Sequence, residues 1–329
     1  MSPTSKATRI GSGHINYTFR IDGEPSFILQ RINKNVFKEP DVIAQNIRLA
    51  ANYLRDHHPH FIFMSNLPTV DGKEMAYDAD GFPWRLYPLI DHSFTVDQLE
   101  TERQAFEAAR TFGALCRNLN GCDVKQFRPV IPRFQDLSWR YQQFEEALAK
   151  ATKERVTEAS DSIQSAKHFG FLVKKYEELI KSGALKLRIV HNDTKINNIL
   201  FDAITGQTIC AIDLDTLMPG YFIYDLGDMV RTFVCPVSEE EKNLTQIVFR
   251  RNIYEALTNG YLSQMNDVMS AEEKQAIPFS GLMMTYIMAL RFLADYLNGD
   301  VYYHTSYPGQ NHVRAKNQCR LLQVLSENV

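Results

Sequence analysis

The amino-acid sequence predicts an α+β protein of two lobes. A small β-rich N-terminal lobe with one helix occupies residues 1–90, and a larger, mainly helical lobe with a β insertion occupies residues 91–329. Three observations predict this. Before Ile90 the apolar residues fall in short runs closed by Gly, Asp and Pro turns. After it they recur with the 3.6-residue period of amphipathic helices. One compact segment, Leu187 to Leu214, returns to short apolar runs in the middle of the helical half.

In chain order, Ala7–Ile10 is a strand that stops at Gly11-Ser12-Gly13, Tyr17–Ile21 resumes it, and Asp22-Gly23 is a hairpin turn. Ser26–Ile32 is a further strand. A helix follows over Asp41–Arg55, with Asp41 as cap after Pro40 and Ile43, Ile47, Ala50 and Leu54 on one face. Leu67–Val70 and Trp84–Ile90 read as strands. Helices are predicted over Val96–Asn118, Gln135–Lys150 and Asp161–Lys181, with an exposed polar loop or mobile helix end near Ala151–Ala166. The β insertion reads as Leu187–Val190, Asn198–Phe201 and Thr208–Leu214. Helices resume over Glu239–Gln264, Ala271–Leu297 and Asn311–Leu325. Ligand sites favour clefts between such lobes.

Lys plus Arg number 36 and Asp plus Glu 39, a net charge of −3. No global basic field gathers nucleic acid. An apolar share of 44% with 23% charged residues excludes a mainly disordered or low-complexity chain. The five cysteines, Cys116, Cys122, Cys210, Cys235 and Cys319, are odd in number and scattered, which fits reduced thiols rather than a disulfide framework. Without a CxxC pair, no structural zinc site is predicted. Met1–Ile10 lacks the apolar core of a secretory signal. Gly281–Leu290 is about half a membrane span and reads as a buried helix. The expected partners are small molecules rather than nucleic acid or membrane, and the expected location is the cytoplasm.

The β insertion carries the chemistry. His191-Asn192-Asp193 is followed by Asn198, and fifteen residues further on by Asp213 in Ile212-Asp213-Leu214-Asp215. An Asp that accepts a hydroxyl proton, an Asn five residues later and a second Asp on the next hairpin strand form the set that phosphoryl transfer to an alcohol requires. Mg²⁺ favours one or two carboxylates together with phosphate oxygens and water. The blander reading, a polar loop capping two strands, leaves the register of Asn198 and Asp213 unexplained. Gly11-Ser12-Gly13-His14 between two strands allows close approach of backbone N–H groups to phosphate, although a GxG alone also makes a plain hairpin. No G-x4-G-K-[ST] occurs, which excludes a P-loop.

These motifs resemble the aminoglycoside phosphotransferase/choline kinase group, whose two-lobed fold is protein-kinase-like, and the general features span nearly the whole chain. GSGHINYTF, FILQRINKNVFKEP, WRLYPLI, HNDTKINNILFD, IDLDTLMPGYFIYDLGD and RFLADYLNGDVYY are similar to the N-acetylhexosamine 1-kinase family within that group. The resemblance implies an ATP- and Mg²⁺-dependent kinase acting on the C1 hydroxyl of an N-acetylhexosamine. By the same resemblance Asp193 matches the catalytic base, Asn198 and Asp213 the metal ligands, and Gly11, Ser12 and Gly13 the phosphate-covering turn. Tyr87, Pro88, Leu89 and Ile90 would border adenine. His14, Arg291 and Asp193 would face the sugar, with Asp295, Tyr302 and Tyr303 beside them. Other acceptors of the wider group (homoserine, choline, an aminoglycoside, another sugar) and a non-catalytic nucleotide- or partner-binding protein are the competing readings.

The sequence departs from the group where a lysine is expected on the third strand to hold the α- and β-phosphates. FILQRI offers Arg31, chosen here as the anchor for its fixed charge and donor fork, and Gln30 on the opposite face as the alternative inward residue. Asp215 is either a second metal ligand or an ion-pair partner, with Lys195 one candidate. Asp225 and Asp228 are expected to fix the loop rather than react, and Arg231 to pair with one of them. Arg291 and Asp295 are spaced for a helix ion pair as well as for a ligand.

Overall fold

A computed structural model describes residues 6–10 and 16–329 of the chain. The N-terminal lobe is a five-stranded antiparallel sheet of β1 (Ala7–Ile10), β2 (Tyr17–Ile21), β3 (Phe27–Arg31), β4 (Ala76–Tyr77) and β5 (Pro83–Pro88), in the order β1-β2-β3-β5-β4. Helix α1 (Pro40–His57) is inserted after β3 and buries Ile43, Ile47, Ala50 and Leu54. Asp41 is not its cap. Glu39 holds that position without a side-chain bond, Pro40 sits in the first turn, and Asp41 accepts a hydrogen bond from the Tyr77 hydroxyl at 2.8 Å. The strand expected at Leu67–Val70 reduces to a single bridge from Leu67 to Leu86.

The remaining strands are β6 (Ser93–Phe94), β7 (Arg188–Val190), β8 (Ile199–Asp202), β9 (Thr208–Ala211) and β10 (Met218–Gly220). They form a three-stranded sheet β6-β8-β9 and a pair β10-β7, both set among helices. Between Pro88 and Ser93 the chain leaves the first sheet and enters the second.

The helices of this half are α2 (Glu102–Asn118), α3 (Leu137–Lys150), α4 (Lys153–Glu158), α5 (Ser160–His168), α6 (Phe171–Lys181), α7 (Phe222–Phe233), α8 (Arg251–Met265), α9 (Ala271–Gln275), α10 (Ile277–Leu297) and α11 (Gln310–Ser326). Thr101 and Gln104 start α2 with a reciprocal capping box, which is why the helix begins later than Val96. The polar segment after Ala151 is helical, because Thr152 caps α4 and Ile163 and Ala166 bury one side of α5. Helix α10 is long and apolar enough to cross a membrane by length and composition, but 78% of that stretch is buried inside the protein. It is the core helix and packs against α3, α7 and α11. Its crossing with α7 is close because Gly227 faces the Ser280 carbonyl, where a Cβ would collide with backbone. Helix α7 also packs against β7 of the β insertion.

Candidate active site

The segment between β7 and β8 is fixed from below by α7. Asp225 accepts the backbone N–H groups of His191 at 3.0 Å and Asn192 at 2.7 Å, and Asp228 accepts that of Thr194 at 2.9 Å while pairing with Arg231 at 2.9 Å. Both carboxylates are buried and act as loop fixers, the role the sequence predicted. Burial pushes Asp225 up to about 6, against the pull of His191 and of the two N–H groups. His191 is wholly buried, edge-on to Phe112. Its Nε2 lies 2.9 Å from the Ile212 carbonyl and its Nδ1 takes the Asp193 N–H at 3.3 Å, so the ring bridges the loop to the next hairpin. Asn192, at φ 66°, takes the left-handed backbone that turns Asp193 outward.

Asp193 stands at the mouth of this loop with 30% of its side chain exposed. One carboxylate oxygen pairs with Lys195 Nζ at 3.0 Å and the other accepts Asn198 Nδ2 at 3.1 Å. Burial raises its pKa, but Lys195, His191 and Asn198 outweigh that and hold the carboxyl below its ordinary value. Asn198 Nδ2 also donates to the Asp193 carbonyl at 2.8 Å, which leaves its Oδ1 as a free acceptor.

The Asn198 carbonyl takes the Ile212 N–H at 2.9 Å, so β8 and β9 deliver the next residue, Asp213, beside Asn198. Asp213 adopts φ 58° and ψ 58°, a left-handed conformation unusual for a residue with a side chain. Its carboxylate is open to the cleft yet surrounded by protein. Among the described residues no donor bonds it. Desolvation, then the nearby Asp215 and Asp193, push it up to about 7. A hard amide oxygen and a carboxylate without a hydrogen-bond donor among the described residues, both presented by the β8–β9 hairpin, fit Mg²⁺. Among the described residues no three His, Cys, Asp or Glu side chains form an all-protein cage. The three groups singled out in the sequence thus converge.

The N-terminal lobe corrects one assignment. Arg31 is not the inward cation. Its guanidinium lies on the other face of the sheet, 4.4 Å from the Tyr17 ring centroid and 4.5 Å from that of Phe82. Gln30 is the inward residue, and beside it on β5 stands Arg85, which sequence reasoning missed. Arg85 is 3% exposed and is paired with Asp215. Asp215 also accepts Asn16 Nδ2 at 2.7 Å. It is therefore an ion-pair partner, but of Arg85 rather than Lys195. The signal for Arg85 was a single charge inside the apolar strand Pro83–Pro88.

Tyr87, Leu89 and Ile90 are half-buried and Pro88 exposed where the lobes join. The Leu89 N–H is already engaged with the Ser26 carbonyl at 3.2 Å. Gly11, Ser12, Gly13 and His14 lie outside the described residues.

On the acceptor side, Arg291 sits over the rings of Phe134 at 5.4 Å and Tyr303 at 5.4 Å, with Tyr302 at 6.0 Å. The Tyr303 hydroxyl is buried with no hydrogen-bond partner among the described residues, and Tyr302 is 65% exposed. Asp295 has a different task from the one expected. It is buried and accepts the N–H groups of Val301, Tyr302 and Tyr303 at 2.8–3.0 Å together with Asn311 Nδ2 at 2.9 Å. It folds the aromatic turn instead of facing a ligand, and it forms no ion pair with Arg291, whose Nη1 lies 3.5 Å from Met288 Sδ. Burial and Arg291 push the neighbouring Arg140 down to about 10. Glu239 joins the two halves of the site: it bonds Arg231 at 2.9 Å, and its charge reaches both Lys195 and Tyr303.

A family profile described as the phosphotransferase enzyme family (APH) matches residues 6–257. The fold is shared with a microcompartment-associated aminopropanol kinase (TM-score 0.65, 16% identity, 98% of this chain and 93% of that one). It is also shared with a spectinomycin phosphotransferase solved with ADP and spectinomycin (0.59, 15%, 98% and 93%). A third neighbour is a choline/ethanolamine kinase family protein from Mesorhizobium loti (0.58, 18%, 99% and 90%).

Proposed function

Because the chain belongs to the phosphotransferase enzyme family, a group of small-molecule kinases, we propose that it transfers the terminal phosphate of ATP to the C1 hydroxyl of an N-acetylhexosamine, in the cytoplasm. The observation that carries the transfer is the meeting of Asp193, Asn198 and Asp213 on one loop and hairpin. ATP is supported by the family and by the neighbour solved with ADP.

Asp193 would receive the sugar hydroxyl. Its depressed pKa makes it a weak base, so its work is to aim the oxygen along the transfer line and take the proton as the new bond forms. Lys195 and Asn198 hold the carboxylate in that orientation. Asn198 Oδ1 and Asp213 would hold Mg²⁺, which supplies charge neutralisation on the phosphate oxygens.

The choice of a neutral sugar over an amine rests on charge. Arg291 stands close enough to Arg140 to disfavour the Arg140 proton. A cationic choline, aminopropanol or aminoglycoside would be repelled there, whereas ring hydroxyls or an acetamido carbonyl accept from guanidinium and tyrosine donors. The sequence stretches shared with the hexosamine kinases point the same way. The test is ATP consumption with Mg²⁺ over a panel of acceptors. N-acetylglucosamine or N-acetylgalactosamine should give the highest kcat/KM. Preference for choline, aminopropanol or spectinomycin would overturn the sugar assignment while leaving the kinase chemistry in place.

A further inference from the structure

The third strand of this lobe carries no lysine, yet a nucleotide's inner phosphates need a cation. Among the described residues of the sheet the cations are easily sorted. Arg9 and Arg31 lie over the Tyr17 ring, and Arg20 pairs with Asp22 at 2.7 Å. Lys34, just past β3, reaches the Asp80 carbonyl and the Phe82 ring. Arg85 alone is turned inward, toward Asp215. Antiparallel register sets Gln30 directly opposite Arg85, so both side chains emerge on one face.

Gln30 is itself held by the Thr18 hydroxyl at 3.2 Å, and its Oε1 accepts Arg85 Nε at 2.9 Å and also Nη2. The guanidinium is thereby clamped along one edge. Asp215 Oδ1 lies in ion-pair contact with Nη2 as well. The remaining nitrogen, Nη1, is buried and has no hydrogen-bond partner among the described residues, an arrangement that leaves its desolvation uncompensated there. Asp215 also holds Asn16, where the chain returns from the Gly11–Gly13 segment to β2, and it lies two residues from Asp213. The orphan donor therefore belongs to the guanidinium paired with Asp215, two residues along the chain from the carboxylate expected to hold the metal.

We infer that Arg85, oriented by Gln30, is the phosphate anchor of this enzyme, its Nη1 donating to the α- and β-phosphate oxygens in the place of the missing third-strand lysine. The anchor has moved to the adjacent strand, and the glutamine at the vacated position has become its support. A planar guanidinium suits the exchange, because two of its nitrogens can be fixed by protein while a third faces phosphate. This inference rests on the nucleotide reading above.

The test is calorimetric binding of ADP and of adenosine to the full-length protein, with thermal unfolding as a folding control. Arg85→Met/Asp215→Asn removes the buried pair together, so no lone carboxylate is left to unfold the lobe. The result expected is a fall in ADP affinity of roughly 10–100-fold with adenosine affinity unchanged. Adding Gln30→Lys to that variant should recover ADP affinity by several fold, because it returns an amine to the third strand. Wild-type ADP affinity in the folded double variant, or equal loss of ADP and adenosine, would overturn the anchor. Absence of ADP binding by the unaltered protein would overturn the nucleotide reading itself, and the anchor with it.

Discussion

Asp193 is held at one oxygen by Lys195 and at the other by Asn198, so exchanging it for Asn changes its charge with little change in shape. Asp193→Asn should lower kcat by about 10²–10⁴-fold and leave the ATP dissociation constant within about threefold, as read by single-turnover kinetics and calorimetry. Activity close to wild type would remove Asp193 from its role. The loop that carries Asp193 was legible in the sequence because His191, Asp193 and Asn198 lie within eight residues, and Asp213 comes just past the next strand of the hairpin. Arg85 was not legible in this way. Its partners Gln30 and Asp215 are remote along the chain, and only strand register and the packing of the lobes bring them together. Asp295 was misread for a related reason: the residues it binds are the following turn folding back on the helix, which helical spacing does not show.

Among the elements, the short strand β7 is tied to α9 by a fully buried ion pair. Arg188 Nη2 donates to Glu273 Oε2 at 2.8 Å and Nη1 to Oε1, while Glu273 also accepts the N–H groups of Lys186 and Ser270. Burial alone would push the Glu273 carboxyl up; Arg188 and the two N–H groups outweigh it and hold the pKa below its ordinary value. The pair's contribution is therefore complete above the unfolded pKa of about 4.3 and is lost as pH falls through the lower folded value. Glu273→Gln should cost about 3–5 kcal/mol at neutral pH, since it strands a buried guanidinium. In urea unfolding the gap from wild type should narrow as the pH drops below about 4. A gap that widened on acidification would contradict the sign. The same helical region shows where periodicity misleads. Asp161–Lys181 and Ala271–Leu297 read as unbroken helices, yet each is two, parted at Gly170 and at Ala276 before Pro278. Both junctions keep near-helical dihedrals, so the apolar stripe runs on across the break.

On the scale of the molecule, the two lobes are joined by more than the chain between Pro88 and Ser93. Asn46 on α1 is wholly buried, donates to the Leu217 carbonyl at 2.9 Å and the Arg128 carbonyl at 2.8 Å, and accepts the Arg128 N–H at 3.1 Å. Together with the bond from Asn16 to Asp215, it docks the small lobe onto the hairpin that presents Asp213. The lobed outline was readable from the change of apolar period after Ile90; this docking was not, since an Asn inside an amphipathic helix carries no mark of its partner. The function proposed for this arrangement is that a sugar hydroxyl is brought to Asp193 and leaves bearing phosphate. ³¹P NMR of the product formed from ATP, Mg²⁺ and N-acetylglucosamine or N-acetylgalactosamine tests it most directly. The account predicts a single sugar phosphate whose phosphorus couples to the anomeric proton. A phosphate on any other hydroxyl, or ATP left intact with both sugars, would contradict it.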